Sequence, residues 1–180
     1  MNPVRKEPSL DSLLNHQFPL LNEQNMLQMI NSPLKEFQKD FMNLREKQID
    51  SLMRNLSQIL GYGLGSTPQS DDLFLGILTA KYCLNKEVSE IFRYLTNLPF
   101  EKLTNSRSAQ LIRRFLNQNF PPEIIPFIKL LKAQLDNQEK LQFEHEVRKI
   151  RTFGNSSGYY FLLGVLWELK YNDNHISKPK

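Results

Sequence analysis

An all-α fold, a single helical bundle, is what this sequence predicts, and three observations predict it. Apolar residues recur at three- and four-residue spacing through most of the chain, with hardly any alternation of β-branched residues to suggest strands. Only 7 glycines occur in 180 residues, and they cluster in two stretches, leaving long Leu-, Gln-, Lys- and Glu-rich segments uninterrupted. The hydrophobic share of 40% is enough for one covered core and too little for two large ones.

Residues 1–31 carry Pro3, Pro8 and Pro19 among Asn and Gln, which predicts an irregular N-terminal arm with a short helix near Asn22 to Ile30. The all-α domain is expected over residues 32–172. Ser32-Pro33 reads as an N-cap followed by proline in the first helical turn. Leu34, Phe37, Phe41, Leu44, Ile49, Leu52, Met53, Leu56 and Ile59 then predict one long amphipathic helix ending at Gly61. Further helices are expected over 71–84, 88–98 and 106–117, punctuated by Pro99 and Pro121-Pro122. Phe127, Leu130, Leu131 and Leu135 mark the next buried stripe, and Leu141, Val147 and Ile150 the one after it. A last apolar helix spans 159–171, with a frayed tail over 173–180.

Composition narrows the function. The net charge of +4 comes from 23 basic and 19 acidic residues spread along the chain, which argues against a nucleic-acid binder. The longest apolar run, Tyr159 to Trp167, is half a bilayer span, and MNPVRKEPSL offers no apolar signal segment, so a cytoplasmic protein off the membrane is expected. The single Cys83 and three scattered histidines leave carboxylates as the only metal ligands to consider. Cys83 reads as a small buried hydrophobe, Trp167 as core, and Arg148, Lys149 and Arg151 as a solvated helix face.

Two glycine-containing loops each open an apolar helix. In the first, Gly61, Gly63 and Gly65 alternate ahead of Ser66-Thr67-Pro68-Gln69-Ser70-Asp71-Asp72. Such a loop brings backbone close to a ligand, and the helix it opens presents N–H groups and a positive dipole end, the setting for phosphate or carboxylate. Gly63, Gly65, Ser66, Thr67 and Ser70 are the anion-binding candidates here, with Asp71 and Asp72 as holders of Mg²⁺ or as a base. The same residues also fit a tight interhelical turn whose acidic pair complements the helix dipole. The pattern is neither a P-loop, since no Lys follows a glycine, nor a dinucleotide fingerprint, which needs a preceding strand.

The second loop is Gly154-Asn155-Ser156-Ser157-Gly158. Laid over each other, residues 70–78 and 158–166 both read small, two polar or aromatic, three apolar, Gly, two apolar. A glycine inside a helix costs about 1 kcal/mol relative to alanine, so Gly76 and Gly164 at matching positions ask for a packing reason. The expectation is that their helices cross there. That crossing would put Asn155, Ser156 and Ser157 beside Thr67, Asp71 and Asp72 in one site.

These motifs resemble a bacterial family that includes the AllH-type third subunit of oxamate carbamoyltransferase. Members look like Gly-Leu-Gly-Pro-Gly-Leu-Thr-Pro-Ser-Gly-Asp-Asp-Phe-Leu-x-Gly in the first loop, and Gly61, Gly63, Gly65, Thr67, Pro68, Asp71, Asp72 and Gly76 fall on that pattern. The family's second motif is similar to Gly-His-x-Ser-Gly-x-Asp-x-Leu-x-Gly, which Gly154, Ser157, Gly158, Leu162 and Gly164 fit. Thr104 to Ser108, followed by Leu111, looks like the family's Thr/Ser turn opening a helix. Ser70 stands where glycine is usual, Asn155 where histidine is usual and Tyr160 where aspartate is usual, and typical members carry a longer N-terminal region. The resemblance implies a subunit of an enzyme that moves a carbamoyl group between phosphate and the oxamate nitrogen, working with partner subunits. A helical interaction or assembly module without catalysis, or a homo-oligomer, is the alternative, and it fits the absent His and Asp.

Overall fold

A computed structural model describes residues 24–42, 49–63, 65–84, 88–133 and 137–176. Within them the chain forms α1 (Gln24–Met42), α2 (Ile49–Ile59), α3 (Gln69–Leu84), α4 (Val88–Thr96), α5 (Ser106–Leu116), α6 (Ile125–Lys132), α7 (Asn137–Arg151) and α8 (Ser157–Ile176). Short 3₁₀ turns at Phe100–Lys102 and Pro122–Ile124 join some of them, and the described residues contain no strand. None of the described helices is long and apolar enough to cross a membrane.

The centre of the bundle is the α3–α8 pair. Every residue from Ser70 to Lys81 is buried, so α3 is wrapped on every side, with its polar residues confined to the two ends of that stretch. Around α3 lie α8, α5 and α6, with contacts to α2 and α4, while α7 packs on α6 and α8. The helices α3 and α8 run parallel: near their N-termini Asp72 lies beside Ser157, and nearer their C-termini Lys81 meets Glu168.

The two mid-helix glycines explain how closely the pair approaches. A Cβ on Gly76 would stand 1.9 Å from the Phe161 carbonyl oxygen, and one on Gly164 would stand 1.9 Å from that of Leu73. In the overlay of 70–78 on 158–166, Leu73 corresponds to Phe161 and Gly76 to Gly164. Each glycine therefore receives the backbone of the other helix at the equivalent position, a local two-fold arrangement that only bare Cα atoms permit. Gly158 plays the same part against α7, where a Cβ would lie 1.8 Å from the Ile150 carbonyl oxygen.

Further along the pair, Lys81 and Glu168 form a buried ion pair at 3.0 Å. Gln38 of α1 bridges it, donating to Glu168 and accepting from Lys81, and Asn172 donates to Glu168 at 2.8 Å. Lys81 also lies over the Phe41 ring, 4.2 Å from its centroid. Burial pulls the Lys81 pKa down while Glu168 opposes that shift.

The N-terminal region differs from the sequence expectation. Instead of one helix over 33–60, the structure has α1 and α2 packed on each other, with Asn55 donating to Asp40 at 2.8 Å. Pro33 does not start a helix but sits inside α1, because Ile30, Leu34, Phe37 and Phe41 form one buried stripe across it. The expected boundary at residue 32 thus falls within a helix, and α8 likewise runs past 171 to Ile176. Leu141 is 69% exposed, and Phe143 takes its place in the buried stripe of α7 with Val147 and Ile150. Trp167 is half-buried and stacks on Tyr171 rather than filling the core. Leu44, Leu135 and the arm residues up to 23 lie outside the described residues.

Candidate functional site

The crossing at Gly76 and Gly164 carries both glycine loops to the same end of the bundle. There the Thr67 hydroxyl lies 3.3 Å from Asp72 Oδ2, to which it donates, and 3.3 Å from Ser157 Oγ. The side chain of Ser157 also hydrogen-bonds Asp72. Thr67, Asp72 and Ser157 are thus brought together, as the sequence expects.

Asp71 turns to a different task. Its carboxylate accepts from the Gly61 amide at 2.8 Å and from the Thr104 hydroxyl. It fastens the first loop and the turn before α5 to the start of α3. Ser70 is wholly buried, accepting from the Tyr62 amide at 2.9 Å and donating to the Tyr62 carbonyl at 3.1 Å. Its hydroxyl closes the loop where the family has glycine. Gly61, Gly63 and Gly65 have φ of +85°, +109° and +110°, the left-handed region in which a side chain is strained.

The α3 amides that were expected to face a ligand are occupied. Ser70 N–H donates to the Tyr62 carbonyl at 3.1 Å, and those of Asp71 and Asp72 donate to Pro68 at 3.0 and 3.2 Å. These three N–H groups are therefore taken up within the loop and the helix start rather than left open.

Two cationic side chains near the loops come from α5. Its Asn105 cap accepts from Ser108 N–H at 2.9 Å and donates to the Ser66 carbonyl at 3.2 Å, tying the helix to the first loop. Arg107, Gln110, Leu111 and Arg114 follow at i, i+3, i+4 and i+7, one face of the helix. That face lines a cavity of about 480 Å³ together with Ser66, Thr67, Asp72, Gly154 and Ser157. Arg113, on another face, is committed to Glu101 and the Leu98 carbonyl, whereas Arg107 and Arg114 meet no carboxylate among the described residues. Ser66 and Gly154 contribute to the cavity, while Gly63, Gly65, Ser70, Asp71, Asn155 and Ser156 do not line it. Asn155 is exposed in the turn, and Tyr160, where the family has aspartate, packs edge-on against Tyr159.

The surroundings of Asp72 alter its chemistry. It is 5% exposed, and burial pushes its carboxyl up to about 6, opposed by the hydrogen bonds from Ser157 and Thr67 and aided by the charge of Asp71. An acid with that pKa exchanges protons near neutral pH. Asp72 also lines a second, mostly apolar groove of about 400 Å³, flanked by Leu75, Leu111, Phe115, Phe153 and Phe161. Among the described residues no group of three His, Cys, Asp or Glu side chains is placed to share a metal ion.

A family model described as oxamate carbamoyltransferase subunit AllH matches residues 59–169, more than half of the chain. The chain belongs to the AllH family. The matched span begins at the end of α2 and holds both loops, α5 and the crossing pair, so the site lies entirely within the AllH segment, whereas α1 and most of α2 precede it. Neither a curated protein nor a solved structure gives a match.

Proposed function

We propose that this chain is a subunit of a carbamoyltransferase-type enzyme and that the cavity between the two glycine loops and α5 holds its oxyanion, the phosphate of carbamoyl phosphate or the carboxylate of oxamate. The observation that carries this reading is the pair Arg107 and Arg114, two turns apart on α5 and facing the cavity that Asp72, Thr67 and Ser157 close from the other side. Guanidinium groups suit both anions because their paired N–H donors match two oxygens at once.

Transfer from carbamoyl phosphate to oxamate breaks the C–O bond to phosphate and forms a C–N bond to the oxamate nitrogen. That nitrogen loses a proton, and charge builds on the carbamoyl oxygen and the departing phosphate. Asp72 would take the proton, its raised pKa being suited to that task. The two arginines would hold the phosphate as its charge develops, with the Thr67 and Ser157 hydroxyls as further donors. The site is thereby read as oxyanion-binding rather than as a Mg²⁺ site: Asp71 is committed to Gly61 and Thr104, so the adjacent carboxylates do not act as a pair. Protein partner subunits belong to the reading, since the family description names a subunit, and so does a cytoplasmic setting for soluble substrates.

The test is oxamate-dependent release of phosphate from carbamoyl phosphate by the chain reconstituted with its partner subunits. Arg114→Ala and Asp72→Asn should each lower the rate at least tenfold while assembly is unchanged. Undiminished rates in both variants would refute the assignment.

A further inference from the structure

The polar cavity and the apolar groove are not separate features. Asp72, Leu111, Gly154 and Ser157 line both, so an anion held at Arg107 and Arg114 has an apolar compartment immediately beyond Asp72. Oxamate and carbamoyl phosphate carry no apolar group to put there. The compartment's volume of about 400 Å³ falls in the range of small-molecule sites, and Phe115, Phe153 and Phe161 give it aromatic walls. Its position is set by the same glycines that build the site, since Gly158 lets α7 close on α8 and so places Ile150 and Phe153 opposite Leu111.

We propose that the site takes an organic oxyanion with an apolar body, a short alkyl chain or a single aromatic ring, its head between Arg107 and Arg114 and its body in the groove over Leu75, Leu111, Phe115 and Phe153. This rests on the oxyanion reading above and extends it from the small polar pair to a larger substrate class. The charge pattern orients the ligand. The two arginines stand on the polar side only, while the groove side carries Glu123 at its rim, which repels an anionic head from that end. Burial of an apolar body adds affinity in proportion to the area removed from water, and a ring or butyl chain is large enough for the increment to be measured.

Isothermal titration at pH 5.5, where the Asp72 carboxyl is mostly protonated, decides the matter with a ligand series: inorganic phosphate, methyl phosphate, butyl phosphate and phenyl phosphate, with acetate and phenylacetate as the carboxylate arm. Butyl and phenyl phosphate should bind at least tenfold tighter than methyl phosphate, and phenylacetate tighter than acetate. Phe153→Ala, which touches the groove and not the polar cavity, should remove most of that gain and leave methyl phosphate unchanged, and Phe153→Leu should restore part of it. Arg114→Ala should weaken every phosphate in the series. Equal affinities for methyl, butyl and phenyl phosphate would overturn this inference and leave the oxyanion reading intact. Absence of binding by all members would overturn the oxyanion reading itself, and the inference with it.

Discussion

Replacing Gly164 by alanine adds one methyl group at the point where α8 meets α3, and its energetic consequence can be worked from the geometry. On an exposed helix the change would stabilise by about 1 kcal/mol through helix propensity. Here the added carbon would stand 1.9 Å from the Leu73 carbonyl oxygen and 3.1 Å from the Ile77 nitrogen. Carbon–oxygen contacts between neighbouring backbones settle at about 3.3–3.6 Å, so the helices must part by more than about 1 Å. Neither offending atom belongs to a side chain that can rotate aside. A radial gap of about 0.5–1 Å already forfeits a quarter to a half of each van der Waals contact, and the separation would be felt along a pair that is buried from Ser70 to Lys81 on one side and Phe161 to Leu166 on the other. Overpacking costs about 1–3 kcal/mol, and backbone that must move puts this site at the upper end, so a net destabilisation of about 2 kcal/mol is expected after the propensity gain. Urea denaturation of Gly164→Ala and Gly76→Ala, with Gln142→Ala on the exposed face of α7 as reference, measures it. The double variant should cost clearly less than the two single costs combined, because helices already parted by one methyl accommodate the other. Stabilisation of either glycine variant, or a change within about 0.5 kcal/mol, would refute the close crossing and with it the reason for placing the two loops together.

Three further outcomes follow from other parts of the structure. Asp72 holds its proton more tightly in the folded chain, at about 6, than in the unfolded one, at 3.8, so stability falls as pH rises from about 4 to about 6 and the penalty persists above it. Asp72→Asn should therefore stabilise at pH 8, by up to about 3 kcal/mol, and should flatten that slope, as thermal denaturation between pH 3.5 and 8 would report. Lys81→Met leaves Glu168 buried without its counter-charge and should cost about 3–5 kcal/mol, whereas Lys81→Met with Glu168→Leu should recover most of the loss; equal instability of the single and double variants in urea would contradict the pairing. Burial pushes the Cys83 thiol up to about 12, so iodoacetamide at pH 8 should label it slowly in the native protein and rapidly in urea, and equal rates would show the thiol to be accessible.

The α3–α8 core was legible in the sequence because glycine inside an apolar helix has few physical excuses. Two such residues at matching positions, each preceded by a polar turn, leave little besides a backbone crossing, and Leu73–Phe161 falls at the register the overlay gives. Thr67, Asp72 and Ser157 follow from that crossing. The region before Gly61 was less legible, because Ser32-Pro33 satisfies every local rule for a helix start and only the burial of Ile30 ahead of it shows that the stripe runs through. The amides of α3 were misread for a related reason: whether a helix's first N–H groups are free depends on the carbonyls of Tyr62 and Pro68, which the loop fold brings back onto them. Asp71 and Asp72 are adjacent and chemically identical, yet the α-helical rotation sends one to Gly61 and Thr104 and the other into the cavity. Arg107 and Arg114 left a signal in their spacing, seven residues apart with Gln110 and Leu111 between, but a helix face declares what it faces only once α5 is anchored by Thr104 to Asp71 of α3 and by Asn105 to the first loop.

The central claim is that Asp72 and the arginine-lined cavity form one anion site, and the titration of the Asp72 carboxyl tests it most directly. Carbon-13 NMR of the side chain, assigned with Asp72→Asn, gives its pKa in the free protein and at saturating sulfate, an oxyanion whose own charge is constant from pH 4 to 8. The account predicts a free value near 6 and a further rise with sulfate bound, since a second negative charge beside the carboxyl favours its protonated form. It also predicts that Arg107→Ala combined with Arg114→Ala abolishes the sulfate response. A carboxyl that titrates in the ordinary range of Asp, or one that ignores sulfate at every concentration, would contradict it.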